Sequence, residues 1–313
     1  SPPSSLIGMI DAEPRLASAK LIAEPWDIGD DGYQLGQFDG RWTEWNDRFR
    51  DSARALWHPA HRKGALQRFA DHLLGSATHF DRPLQSINFI AAHDGFTLAD
   101  MVAFDHKHNE ANGEQNRDGH GHNLSWNHGV EGPTVSPSIL AERSRTQRAL
   151  LLTLLLSQGV PMVAMGDEQG HRQHGNNNAY CQDGPLSWLD WSNGDEGLAA
   201  FVRDALALVR RLPSLRQARH LHRVEQVSWW RTDALNMRAP DWENADLCAL
   251  VLHLAPVTDK DPAVAIALNV GEADRALQLP FGPHWSLALG SADGASVELL
   301  PRRSIAIFEN RLA

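Results

Sequence analysis

Short strand-like segments alternate with helix-like segments over roughly the first two-thirds of the chain. The strand-like segments lie at residues 20–23, 42–49, 87–92 and 160–164. The helix-like segments lie at residues 50–57, 65–74, 141–158 and 196–211. This alternation predicts a parallel sheet with helices packed against it. The residues Ser136 and Pro137, at the end of the preceding loop, indicate the start of the third helix.

The pattern changes after about residue 219. Short strand-like segments, separated by turn residues, follow at 226–231, 247–254, 263–269 and 304–308. Strands of this length and spacing are typical of an antiparallel β-sandwich. We therefore predict an α/β domain over residues 1–215 and an all-β sandwich domain over residues 216–313.

Composition excludes several classes of partner. The formal charge of −10 argues against a nucleic-acid backbone as partner. The longest apolar run, residues 149–156, is much shorter than a membrane span. Cys181 and Cys248 are too few for a disulfide framework, and the first residues have no signal-peptide pattern. We expect a cytoplasmic protein that binds neither a membrane nor nucleic acid.

Two acidic residues follow two of the predicted strands. Glu24 comes directly after the first strand and before Pro25, and Asp94 follows the third strand and precedes Gly95. The 70 residues between the acids fit two βα units, and the carboxyl ends of parallel strands meet at one edge. Retaining glycosidases use two carboxylates about 5–5.5 Å apart. Glu24 suits the general acid, because partial burial beside Trp26 favours a protonated carboxyl, and Asp94 suits either the nucleophile or a supporting carboxylate.

Several longer motifs resemble one known family, the bacterial glycogen debranching enzymes of the isoamylase-like branch of the α-amylase superfamily (glycoside hydrolase family 13). The motifs are LIAEPWDI at 21–28, WNDRFRD at 45–51, AHDGFT at 92–97, NEANGE at 109–114 and GNNNAYCQD at 175–183. The resemblance runs from about residue 16 into the second domain. It implies strands five to eight of a (β/α)₈ TIM barrel followed by the β-sandwich, and retaining hydrolysis of α-1,6 branches in glycogen, limit dextrin or another branched α-glucan.

The resemblance also implies roles for single residues. Glu24 matches the general acid/base on the fifth barrel strand. Asp94 matches the transition-state stabiliser on the seventh, and His93 matches a residue that contacts the sugar at the cleavage point. Trp26, Tyr33 and Asn177 are the further candidates for substrate binding. Trp26 and Tyr33 could instead only pack their loop, and Asn177 could instead only shape a turn.

The family's nucleophile has no counterpart in the sequence. It is an Asp on the fourth barrel strand, and one βα unit before Glu24 falls before residue 1. Asp11, the nearest candidate, lies in a segment that reads as the end of a helix. We therefore expect this chain to be inactive alone, with two unpaired sheet edges and the missing N-terminal half as a partner. The alternative is a truncated, non-catalytic fragment that binds glucan.

A polar loop between residues 107 and 137 invites a metal hypothesis. Its region contains five histidines: His106, His108, His120, His122 and His128. Paired histidines at short spacing ligate zinc, but no cysteine or acid pattern completes such a site. The sequence predicts neither a metal nor a cofactor, and it favours a structural role for the segment Gly166-Asp167-Glu168.

Overall fold

The computed structural model describes residues 5–311. Four parallel strands form one sheet in the order in which they occur along the chain. They are β1 (Leu21–Ala23), β2 (Trp42–Asn46), β3 (Ser86–Phe89) and β4 (Val160–Met162). The central strand β3 is buried throughout, whereas residues of the end strands β1 and β4 are partly exposed. The predicted parallel sheet is present, and β1 and β4 lie at its two ends.

Seven α-helices are described within residues 5–311. They are α1 (Ser5–Ala12), α2 (Asp47–Trp57), α3 (Ala65–Leu73), α4 (Leu98–Met101), α5 (Pro137–Leu156), α6 (Glu196–Arg211) and α7 (Ala239–Glu243). Their starts follow the capping chemistry of the sequence: the Asp195 carboxylate accepts from the Leu198 N–H at 2.8 Å, and Pro137 is the first residue of α5.

The second predicted strand is too long. The structure ends it at Asn46, whose side-chain oxygen accepts from the Phe49 N–H at 2.9 Å and so caps α2. Residues 47–49 are therefore helical rather than extended. An Asn that closes a strand and opens a helix explains the error, because the apolar residues alone suit either conformation.

The second part of the chain is antiparallel, as predicted. Its strands are β5 (Val227–Trp230), β6 (Ala249–Leu254), β7 (Ala263–Asn269), β8 (Arg275–Ala276), β9 (Trp285–Gly290), β10 (Leu299–Leu300) and β11 (Ser304–Asn310). Five of them pair in the order β5-β6-β7-β11-β9, and β8 pairs with β10. The sequence did not predict β8, β9 or β10.

One hydrophobic core joins the helices to the five-stranded sheet. Leu252, Ile266 and Ile307 face the helices and share a cluster with residues of α2, α3, α5 and α6. The alternate residues, such as Ala265 and Phe308, face a second cluster on the other side. Every residue of β7 and β11 is buried, which agrees with the continuous apolar runs at residues 263–268 and 305–308. Within residues 5–311, no helix combines the length and the apolar character that a membrane crossing requires.

Candidate active site

The structure brings together three of the six residues to which the sequence gave catalytic or sugar-binding roles. Glu24 follows β1, and His93 and Asp94 follow β3, two strands along the same sheet. One side-chain atom of each lies within 4.8 Å of those of the other two. Parallel strands deliver their carboxyl ends to one edge, and this geometry is what makes the meeting possible.

His93 is oriented by the aromatic side chains below it. Its Nε2 atom lies 3.6 Å from Asp94 Oδ2. Its ring meets the Trp45 ring edge-on at a centroid distance of 5.6 Å, and Trp45 in turn contacts Phe89 at 5.5 Å. Trp45 lies on β2, between the strands that carry the acids, and its ring contact positions the imidazole. The side chains of His93 and Asp94 remain 62% and 66% exposed.

The prediction that the Glu24 side chain is partly buried is wrong for the residues that the structure describes. Its side chain is exposed, although Trp26 lies beside it and donates its backbone N–H to the Glu24 carbonyl at 2.9 Å. Trp26 itself is only partly buried. The carboxylate therefore has an open side, which no residue between 5 and 311 covers.

Tyr33 lies on a loop that folds back onto the segment after β1. The Gln34 N–H donates to the Pro25 carbonyl at 2.7 Å. The Tyr33 hydroxyl donates to Asp47 Oδ1 at 2.7 Å and accepts from Arg48 Nε at 2.9 Å. Burial is the largest cause that raises the pKa of Tyr33 to about 12, and the hydrogen bond to Asp47 is the next largest. The hydroxyl is thus held by the start of α2, and the Arg48 guanidinium lies 5.1 Å from the centre of the ring. Tyr33 as a whole is 43% exposed, so only the ring surface that Arg48 leaves uncovered is open to a ligand.

Asn177 is only 1% exposed, and both ends of its amide are engaged within the protein. Its oxygen accepts from Asn109 Nδ2 at 2.9 Å, and its nitrogen donates to the His120 carbonyl at 2.8 Å and to Asn123 Oδ1 at 3.0 Å. Its backbone carbonyl accepts the Gly95 N–H at 2.9 Å. The side-chain bonds fix the position of this residue, and its backbone carbonyl holds the turn after Asp94.

A wider amide network joins the two long loops that border the site. Asp118 Oδ2 accepts from Asn112 Nδ2 at 2.7 Å and from Asn178 Nδ2 at 2.9 Å, and these bonds lower the pKa of Asp118. The Lys107 ammonium donates to the carbonyls of Asp118 and Gly119 at 2.6 and 3.0 Å. The loop after β4 is therefore fastened to the loop after β3 by polar side chains.

Arg54 is a buried support that the sequence analysis missed. Its guanidinium donates to the Ile90 carbonyl at 2.9 and 2.6 Å and to the Asn123 carbonyl at 3.0 Å. Burial lowers its pKa to about 9. The segment that leaves β3 toward His93 is thus anchored from helix α2. The sequence did contain a signal of this buried role, because Arg54 lies next to Ala53 on the apolar face of that helix.

Two buried carboxylates hold backbone beneath the loops. Asp167 Oδ1 accepts the Leu98 N–H at 2.9 Å, and burial raises the pKa of Asp167 to about 7. Asp100 Oδ2 accepts the N–H groups of Gln173 and Gly175 at 2.7 and 3.1 Å, and burial raises its pKa as well. The structural role favoured for Asp167 agrees with this position.

Curated proteins of similar sequence share one description. The chain is 49% identical over 243 residues to the glycogen debranching enzyme of Erwinia tasmaniensis, a match that spans 76% of this chain and 37% of that protein. It is 44% identical over 279 residues to the glycogen debranching enzyme of Serratia proteamaculans, spanning 86% and 42%. A GlgX homologue of the glycogen operon in Mycobacterium bovis is 46% identical over 79% of this chain and 36% of its own length. The chain therefore spans about two-fifths of the length of these relatives.

Solved structures of similar fold are pullulanases. The pullulanase of Bacillus acidopullulyticus superposes with a TM-score of 0.69 over 97% of this chain and 36% of that protein, at 18% identity. The pullulanase of Anoxybacillus sp. LM18-11, solved with maltotetraose, gives a TM-score of 0.66 over 93% and 39%, also at 18% identity. At this identity the likeness shows the fold, an α/β region with an antiparallel sheet. No profile of a known protein family matches the chain. The sequence matches, at 44–49% identity over three-quarters or more of its length, show that the chain belongs to the isoamylase-like glycogen debranching enzymes, which are glycoside hydrolases.

Proposed function

We propose that the protein to which this chain belongs hydrolyses α-1,6 branch linkages in glycogen or limit dextrins, with retention of configuration. The observation that carries the proposal is the meeting of Glu24, His93 and Asp94 within 4.8 Å at the carboxyl edge of the parallel sheet. In this mechanism Glu24 protonates the leaving oxygen and later accepts a proton from water. Asp94 stabilises the positive charge that develops on the sugar, and His93 binds its hydroxyl groups.

The attacking carboxylate is the part of this mechanism that we assign to a segment outside residues 1–313. Asp11 is the nearest acid upstream of β1 that the sequence offered. Its Oδ1 atom accepts from Trp42 Nε1 at 3.0 Å and lies 3.8 Å from the Arg41 guanidinium. An acid held in this way near the end of α1 supports β2 and does not act as a nucleophile. The relatives, of which the chain spans 36–42%, offer ample sequence for the missing group.

The same reasoning gives a proposal for the fold of the whole enzyme. The four parallel strands would be strands five to eight of a (β/α)₈ barrel, with the remaining strands paired on the outer edges of β1 and β4. Their sequential order and the partial exposure of the two end strands support this arrangement. The second domain, residues 216–313, would be a β-sandwich in which the β8–β10 pair covers part of the five-stranded sheet.

The residues around the acids divide into two groups under this proposal. Trp26 and the ring of Tyr33 are partly exposed and bind the glucan chain, whereas Asn177 supports the Asp94 turn. Branched α-glucans are the substrate class that the relatives' names support. Cytoplasmic location and independence of metals and cofactors stay predictions.

The site assignment is tested by Glu24→Gln in the whole enzyme. Turnover of limit dextrin should fall by about 10²–10⁴-fold, the usual contribution of general acid–base catalysis, while retention of the protein by glycogen in a native gel stays unchanged. The matched control is Glu13→Gln, because Glu13 pairs with Arg15 on the surface and lies outside the cluster. Wild-type turnover in Glu24→Gln would remove Glu24 from its role.

The second candidate, a non-catalytic glucan-binding fragment, is favoured by the position of Asp11, and one assay tests the inactivity of this chain that both candidates expect. Residues 1–313 alone, incubated with limit dextrin, should release no reducing ends above a blank. Turnover near that of a whole enzyme would show that these residues contain the nucleophile after all.

A further inference from the structure

A groove between helix α3 and the antiparallel sheet lies away from the acids. It has a volume of about 460 Å³. The residues used below are Gln67, Asp71, His220, His222, Trp229 and Trp242. The end of α3 lies at the amino edge of the parallel sheet, because the N–H of Gln158, just before β4, donates to the Leu73 carbonyl at 3.0 Å. Glu24 and Asp94 lie at the opposite edge, so the groove is separate from the candidate active site.

Two tryptophans form the apolar part of the groove. Trp229 lies on β5 and Trp242 on α7, and their rings stand perpendicular, at 86°, with centroids 5.4 Å apart. Both are partly exposed, although both pack against the main core. Rings held in this way offer flat apolar surface beside polar indole nitrogens, a combination suited to ligands that have an apolar face and a wet rim.

The polar part of the groove is fixed in place and has an unused acceptor. His220 contacts the Leu74 and Phe80 carbonyls through its two ring nitrogens, at 3.3 and 2.9 Å. Gln67 Nε2 donates to the Asn244 carbonyl at 2.6 Å, whereas Gln67 Oε1 is buried without a hydrogen-bond partner among the described residues. A buried acceptor left without a donor costs free energy, so the groove favours a ligand that supplies hydroxyl donors.

We propose that this groove is a second binding site for a linear α-glucan chain, such as an outer chain of glycogen. A glucan is a neutral polyol with apolar faces, which matches two tryptophan rings beside a fixed glutamine, the His222 imidazole and the Asp71 carboxylate. The volume lies in the range of ordinary ligand sites. The inference rests on the proposed function, because the polymer that binds here is the substrate of that function. A second contact raises the effective concentration of branch points at the active site.

Kinetics of the whole enzyme separate this site from the catalytic one. Trp242→Ala and Gln67→Ala should each raise KM for glycogen by about tenfold, the loss expected for one good contact, and leave kcat unchanged. For a short branched oligosaccharide, which is too small to reach both sites, KM and kcat should both stay at the wild-type values. The control is Phe281→Ala, because Phe281 is an exposed aromatic residue of the antiparallel sheet domain that does not line the groove.

Binding by the 313-residue chain gives the second readout. In a native gel that contains glycogen, the His93→Ala chain should still be retarded, and adding Trp242→Ala should remove most of that retardation. If Trp242→Ala does not fold, as judged by its melting curve, Gln67→Ala decides the question. Folded variants that keep the wild-type KM for glycogen and the wild-type retardation would overturn the proposal. A His93→Ala chain that glycogen does not retard would also overturn it. If the whole enzyme cleaves neither glycogen nor the oligosaccharide, the proposed function is refuted. The second site still stands in that case if Trp242→Ala abolishes the retardation by glycogen.

Discussion

Asp167→Asn should remove a pH dependence from the stability of the chain. Asp167 is 3% exposed, and its Oδ1 atom accepts the Leu98 N–H at 2.9 Å. Burial raises its pKa from 3.8 to about 7 against the opposing effect of that hydrogen bond, with smaller contributions from Glu168, Arg54 and Asp100. Asparagine keeps the Oδ1 acceptor for Leu98 but cannot ionise. The substitution therefore isolates the cost of ionising this one carboxyl.

The sign and size of the effect follow from proton linkage. Between pH 3.8 and about 7 the unfolded chain releases the Asp167 proton, whereas the folded chain keeps it. The contribution of Asp167 to the free energy of unfolding is thus fully present below pH 3.8, falls as the pH rises, and is lost above about pH 7. At about 1.4 kcal/mol for each pH unit, the whole loss is at most about 4 kcal/mol, and local relaxation reduces it to about 2–4 kcal/mol.

Urea unfolding followed by circular dichroism measures the effect on the 313-residue chain. The stability of Asp167→Asn relative to the wild type should rise by about 2 kcal/mol or more from about pH 4 to about pH 8. The control is Asp190→Asn, an exposed acid whose pKa the hydrogen bond from Asn193 lowers. Stability linked to a lowered pKa is lost only at acid pH, so this control should show no trend from about pH 5 upward. Parallel pH curves for the wild type and Asp167→Asn over that range would refute the argument from burial.

Further predictions concern the supports of the site. In the whole enzyme, Asn177→Ala should lower kcat by about tenfold or more at nearly constant KM, because it removes the side-chain bonds that position the residue 177 carbonyl on the Gly95 N–H and so loosens the Asp94 turn. A rise in KM at constant kcat would show direct sugar binding instead. In the 313-residue chain, Arg54→Met should lower the free energy of unfolding in urea by about 2–5 kcal/mol, because it leaves two buried carbonyl groups without a donor. A loss below about 1 kcal/mol would contradict that reasoning. Arg203→Met, at an exposed position, is the control. A chelator should leave whole-enzyme activity unchanged, and a loss restored by zinc, which binds imidazole and carboxylate ligands, would favour a metal site at Glu24, His93 and Asp94.

The positions of the acids could be predicted from sequence because the signals are local. Apolar residues 21–23 followed by Glu24 and Pro25 specify where β1 ends and what stands at its end. Helix α6 has the predicted bounds, Glu196–Arg211, because the Asp195 cap marks its start. Once two parallel strands are placed, their shared carboxyl edge brings Glu24 and Asp94 together without further information.

The supports of the site could not be predicted in this way. Asn177 pairs with Asn109, which is 68 residues away, and an asparagine in a polar loop has the same sequence signature whether it faces a sugar or a second loop. Strand β9 (Trp285–Gly290) was missed because it is a partly exposed edge strand whose apolar run, residues 287–289, is short. These features depend on tertiary contacts, for which the local pattern contains no signal.

The exposure of Glu24 separates what this chain supplies from what it does not. The residues that fix the reacting groups are buried within residues 5–311: Arg54 holds the segment after β3, and Asn177 holds the turn after Asp94. The reacting side chains themselves remain exposed. A general acid works best with one face shielded from water, because shielding favours its protonated form. In the proposed barrel, β1 is the strand on whose outer edge the nucleophile's strand would pair, so one added element would both cover Glu24 and bring the attacking carboxylate beside it. Burial of the acid and completion of the catalytic pair are then one structural event.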